Sequence, residues 1–429
     1  MGDARTRTPL TATLAALTAL AVPPMLAATG CAATKVDTSH VTSDAVVAVG
    51  EAPLDTAASR RLVGIGEATH GNREFAQVRL SIIRTLVREH GFRAIALEAD
   101  FGGTAAADDY VRENRGSAEE AATALGFDIY RTRETADLLT WIHDHNATVS
   151  DADKVRLYGF DMQRYDLNKK RLLSYLAQVD PALGRQAETS LADLTDAGRA
   201  RQDEKKTAAA ATAAERIVAQ MRTGRERYVK ASSPEAFVLA AHHAETILRG
   251  ARLQTSGDRY AAKRDAWMAE NVTWITDVEA GQGRKQLVLA GHNGHIDKSG
   301  AAFSYESMGR RLAAAYGGDY FTIGTDFGES TFISKDEASG ERKRFSVTNP
   351  SPLAKLFGSE PLGYVDIRRA SAQPANRKLL NTEIPMGSVG DAFQADYSGV
   401  LAAYTVKTVP AKAYDALVYA PHASPVTPL

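Results

Sequence analysis

Short, continuous apolar runs, each closed by ionisable side chains and separated by stretches of helical periodicity, restrict the folds open to this chain. "RLVGIGEATHG" ends in Glu67 and His70, "FRAIALEADF" in Glu98 and Asp100, and "KVRLYGFDMQ" in Asp161 and Gln163. "KQLVLAGHNGHI" ends in His292, Asn293 and His295, and "YFTIGTDFG" is a fifth such run. A strand that is apolar on both of its alternating faces has to be covered on both, as in a parallel sheet between two layers of helices. After the first run, Val78, Ile82, Ile83, Leu86 and Val87 recur at helical spacing, and Gly91 supplies a C-terminal stop. The expected fold class is therefore α/β, a mostly parallel central sheet with helices on both faces and a helical insertion.

That insertion is expected over 168–277, where "RQDEKKTAAAATAAERIVAQMRTGRERYVKASS" is rich in Ala, Glu, Lys and Arg. It divides one α/β catalytic domain into 41–167 and 278–420, and is expected to form a wall or lid over the cleft. The beginning of the chain differs again. Arg5 and Arg7 precede an apolar run from Leu10 to Ala28, and small residues Ala28, Thr29 and Gly30 precede Cys31. Residues 1–31 read as a signal peptide, either of lipoprotein type with Cys31 lipidated or of the ordinary cleaved type. Pro23 and Pro24 break the run and argue against a membrane span. The protein is expected to be exported, extracellular or lipid-anchored at the cell membrane. Cys31 is the only cysteine, so the remainder has no disulfide to rely on. With Lys+Arg 51 against Asp+Glu 52, no global field attracts nucleic acid.

In open α/β sheets ligands bind outside the carboxyl ends of the strands, so Glu67, His70, Glu98, Asp100, Asp161, Gln163, His292, Asn293 and His295 are expected to converge on one crevice. Helix capping is the plainer reading, since Thr69, Asn72, Asp100 and Asn293 are good N-cap types. Capping explains any one of these ends but not the recurrence of Glu and His at them. The pairs His143/His145 and His242/His243 are read as structural. Two chemistries suit the constellation. In one, a histidine general base activates water while a carboxylate holds its other ring nitrogen and further histidines stabilise the carbonyl oxygen. In the other, the same donors ligate a divalent metal. No G-x-S-x-G elbow and no phosphate-binding G-x-x-x-x-G-K-[ST] loop is found.

"GIGEATHGNREF" (64–75), "ALEADF" (96–101), "YGFDMQ" (158–163), "RDAWMAENVTWI" (264–275), "AGHNGHI" (290–296) and "GTDFGESTF" (324–332) resemble, in order, the blocks of the erythromycin esterase family. The resemblance implies a carboxylic ester hydrolase of macrolide antibiotics, hence antibiotic resistance, acting on a small-molecule ester or macrolide without an obligate metal. It implies His70 as the base, Glu67 and Glu98 as carboxylates beside it, and His292 with His295 as a second pair in the cleft. Arg79, Glu74, Asp161 and Asn293 are the expected substrate-side residues. Two blocks depart from the pattern. Ala290-Gly291 stands where members often carry an aromatic residue, and "YRT" at 130–132 stands where "WRT" is typical. A related group with a similar leading Glu-and-His strand, comprising metal- or haem-binding proteins and metal-dependent peptidases, supplies the alternative. There Glu67, His70 and His295 ligate a metal.

Overall fold

The computed structural model describes residues 37–429. The expected leader and Cys31 lie outside the described residues. In chain order the strands are β1 (Val47–Ala48), β2 (Leu62–Glu67), β3 (Ala94–Asp100), β4 (Arg156–Asp161), β5 (Leu287–His292), β6 (Tyr320–Asp336), β7 (Arg342–Thr348), β8 (Gly363–Asp366), β9 (Ile384–Gly387), β10 (Ala392–Phe393), β11 (Thr405–Thr408) and β12 (Ala416–Ala423). All but β9 and β11, which pair with each other, belong to one sheet ordered β1-β8-β12-β6-β2-β5-β3-β4, with β7 and β10 added to β6. Its centre is parallel from β12 to β4, and the antiparallel strands β8, β1 and β7 lie toward one side.

Alternation along the strands explains why the apolar runs are continuous. Val63 and Ile65, Ile95 and Leu97, and Val288 and Ala290 enter one core, packed by Val78, Ile82, Ile83, Leu86 and Val87 of the helix Arg73–His90. Leu62, Ala94, Ala96, Leu287 and Leu289 enter the core on the other face, against Met268, Val272 and Ile275 of the helix Tyr260–Gly281. Each large apolar side chain so buried contributes about 1.5–3 kcal/mol, which holds both helical layers to the sheet. The helix Arg73–His90 stops at Gly91, whose φ of +73° is the left-handed conformation that favours glycine.

Between β4 and β5 the chain is helical, with Asp166–Val179, Pro181–Ser190, Glu204–Thr223, Arg225–Ala231, Pro234–Gln254 and Tyr260–Gly281 as its α-helices. The helices up to Gln254 share a core of their own around Tyr165, Leu172, Leu176, Ile217, Met221 and Ile247. Tyr260–Gly281 instead packs on the sheet. Within the span between β4 and β5, the earlier helices thus build mainly a core of their own, while the last one lies on the sheet, joined there by Leu253 of the helix before it.

Candidate active site

The register of the parallel strands builds the site. β2 and β5 pair so that Glu67 lies beside His292. On β3 the pairing with β4 shifts between Leu97 and Asp100, so that three steps on β3 match two on β4. This bulge brings the backbone at Ala99 and Asp100 against Gly159 of β4, where a Cβ would collide with both carbonyl oxygens. Asn293 follows β5 and locks it to β6: its Nδ2 donates to Thr325 O at 2.7 Å and its Oδ1 accepts from Thr325 N–H at 3.1 Å. Gly66 of β2 has to be glycine, because a Cβ there would run into Asn293 Oδ1.

His70, in the turn after β2, has its Nδ1 buried and 3.8 Å from Glu67 Oε1. Arg79, a buried residue of the helix Arg73–His90, donates from Nη1 to that same Oε1 at 2.8 Å. Burial opposes charge on both groups. The Arg79 guanidinium and His70 nonetheless hold the Glu67 carboxyl below its usual range, and the carboxylates of Glu67 and Glu98 hold His70 above its own.

His70 lies against His292, with ring centroids 5.2 Å apart. His292 Nδ1 accepts the N–H of Gly294 at 3.2 Å, which leaves the proton of the neutral ring on Nε2. That Nε2 is buried without a partner among the described residues. Burial, reinforced by the neighbouring His70, pushes the His292 pKa down to about 3, so the ring is a neutral donor at any ordinary pH.

Glu98 Oε2 accepts the backbone N–H of His292 at 2.8 Å. Its Oε1 meets Arg264 Nη2 at 2.8 Å and His295 Nε2 at 3.3 Å. Arg264 also reaches Asp161 Oδ2, from Nη2 at 2.6 Å and from Nε at 2.9 Å. Against the cost of burial, these cations hold Glu98 far below the carboxylate range. His295 Nδ1 meets Asp265 Oδ1 at 2.6 Å, and despite burial the carboxylates of Asp265 and Glu98 keep the imidazole pKa raised. Phe303 lies 5.3 Å from His295 and stacks on Tyr305 at 4.9 Å.

Glu67, His70, Arg79, Glu98, Asp161, His292, Asn293 and His295 thus meet at one end of the sheet, with Asp161 and Asn293 engaged in holding neighbours. Glu74 is placed differently: its Oε2 accepts the backbone N–H of Ser424 at 2.6 Å. Asp100 caps the helix Phe101–Glu113 and bonds Asn168, and burial pushes its pKa up to about 8. His243 meets Asn168 Oδ1 at 2.9 Å, and His242 stacks on Trp274 at 3.6 Å.

Arg264 and Asp265 escaped the reading of strand ends because they lie on the helix Tyr260–Gly281. The available signal was an adjacent "RD" within the apolar "RDAWM".

Comparison with known proteins bears on the family and the fold. The profile described as erythromycin esterase matches residues 87–423. The erythromycin esterase type II of Escherichia coli is 23% identical over 303 residues, 62% of this chain and 68% of that protein. A crystal structure of a Bacillus cereus protein superposes with a TM-score of 0.76 at 24% identity, covering 91% of this chain and 97% of that one. A histidine-to-asparagine mutant of the erythromycin esterase EreC, in its open conformation, gives 0.64 at 20% identity, covering 86% and 93%.

Proposed function

Because the chain belongs to the erythromycin esterase family, we propose that it is a hydrolase in which His70 activates water against the carbonyl of a carboxylic ester or macrolactone. The observation that carries this reading is the burial of His70 Nδ1 toward Glu67, which leaves Nε2 as the nitrogen free to take a proton. His70 Nε2 removes a proton from water as the water oxygen bonds to the carbonyl carbon. The ester C–O bond then breaks, and the proton held by His70 passes to the departing alkoxide. The products are a carboxylic acid and an alcohol, or one ring-opened molecule carrying both.

Charge growing on the carbonyl oxygen needs donors fixed in advance. In this reading His292 Nε2–H supplies one, locked in its tautomer by the Gly294 N–H. His295, whose affinity for a proton Asp265 and Glu98 raise, adds a positive field when protonated. Phe303 and Tyr305 offer an apolar wall to the substrate.

A divalent ion fits these donors poorly. Arg79 occupies Glu67, while Arg264 and a backbone N–H occupy Glu98, so a cation would face two guanidinium groups. Export, with the protein either extracellular or lipid-anchored at Cys31, remains part of the proposal, argued from the leader sequence alone.

Mass spectrometry of a fourteen-membered macrolactone and of simple carboxylic esters incubated with the protein tests the reading. Gain of one water by the macrolactone supports a macrolide esterase. Hydrolysis of the simple esters alone keeps the hydrolase and discards macrolides, and no hydrolysis of either overturns the reading.

A further inference from the structure

Residues 424–429 lie just past the stretch that the family profile matches, and they form a strap between two segments that border His70. On one side, Arg73 N–H donates to Ser424 O at 2.9 Å and Val426 N–H to Gly71 O at 3.0 Å. Ser424 N–H is held by Glu74, and Asn72 Nδ2 donates to Ser424 O at 3.1 Å. On the other side, Arg133 N–H donates to Thr427 O at 2.8 Å and Leu429 N–H to Arg131 O at 3.1 Å. Thr427 N–H lies 3.1 and 3.0 Å from the two carboxylate oxygens of Glu134. The strap therefore ties the turn that carries His70 to the start of the helix Arg133–Asn146.

Between these anchors the Val426 side chain is buried. It walls a cavity of about 10 Å³ together with Glu67, His70, Arg79, Tyr130 and Thr135. That is about the least volume that holds one water molecule. His70 Nδ1 and Arg79 Nε are both buried without partners among the described residues, and the Nδ1 to Glu67 separation of 3.8 Å exceeds a direct hydrogen bond. What closes this cavity thus controls which protons reach the back of the imidazole.

We infer that Val426 is a positioning residue for His70: the strap seals the Nδ1 side of the imidazole from bulk water, keeping the ring proton on Nδ1 and Nε2 free as the base. This rests on the reading of His70 as the base. Seal and base are tested separately on the full chain with histidine-selective ¹⁵N labelling, the His70 signal being assigned by its loss in His70→Gln. Wild type should show a slowly exchanging Nδ1 proton. Val426→Gly should speed its exchange tenfold or more and lower kcat at least tenfold on an ester the wild type hydrolyses, with KM little changed, while Val426→Ile retains both properties. If Val426→Gly does not fold, Val426→Thr, which keeps the shape but brings a hydroxyl into the cavity, is expected to speed exchange in the same direction. Fast exchange in wild type, or equal exchange in the Gly or Thr variant, would overturn the inference. Hydrolysis at the wild-type rate by His70→Gln would instead sink the base, leaving the exchange comparison to decide the seal.

Discussion

Asp265 Oδ1 and His295 Nδ1 meet at 2.6 Å, joining the helix Tyr260–Gly281 to the short helix Asn293–Ile296 that follows β5. The buried carboxylate fixes the ring orientation and supports its charge. Asp265→Asn keeps the size of the side chain but removes the charge. Steady-state kinetics of this variant are expected to show kcat lowered on the order of 10²-fold or more, a usual share for a positioned acid–base network. A thermal midpoint close to that of wild type would assign the loss to chemistry rather than folding.

Arg264 is the shared cation of Glu98 and Asp161. Arg264→Met leaves two buried carboxylates without their partner, which costs roughly 3–5 kcal/mol. Urea denaturation at neutral pH measures that loss. Glu98 has a depressed pKa, so its pairing contributes stability above the unfolded value of about 4.3 and loses it as pH falls through the folded value. The difference between the two proteins should therefore narrow below about pH 4. A difference that stayed constant into acid would contradict the pairing.

The pH dependence of hydrolysis has a definite sign. His70 has to be neutral to act as a base, and the carboxylates of Glu67 and Glu98, outweighing burial, hold its pKa above the ordinary 6.5. The acid limb of kcat/KM should then lie above pH 6.5. Glu67→Gln removes the nearer carboxylate while burial still lowers the pKa, so the limb should move to lower pH. A limb unmoved or moved upward would separate Glu67 from the titrating group.

Gly66→Ala tests the lock between β6 and the turn after β5, against which Gly66 of β2 lies. The added methyl would displace Asn293 from Thr325. Overpacking of this kind costs about 1–3 kcal/mol. Chemical denaturation should show that loss, together with reduced activity as His292 and His295 shift.

The parallel sheet and the strand-end residues were legible because buried parallel strands are apolar throughout, which makes a Glu or His at their ends conspicuous. Glu67, His70, Glu98, His292 and His295 are visible for that reason. Arg264 and Asp265 were not, since helix periodicity assigns a charged pair to solvent unless the facing sheet edge is known. Glu74 follows the His70 turn closely in sequence, yet its side chain is drawn to the backbone of Ser424. The strap itself pairs largely through backbone groups, which side-chain patterns do not record. The antiparallel additions around β6 were equally hidden, because β7 is polar on its exposed face and reads as loop.

The role of His70 is tested most directly by comparing wild type with His70→Ala on one ester that the wild type hydrolyses, at equal protein concentration and after chelator treatment. The expected result is a loss of turnover on the order of 10²-fold or more with an unchanged circular dichroism spectrum. Hydrolysis by His70→Ala at the wild-type rate would contradict the assignment of His70 as the base.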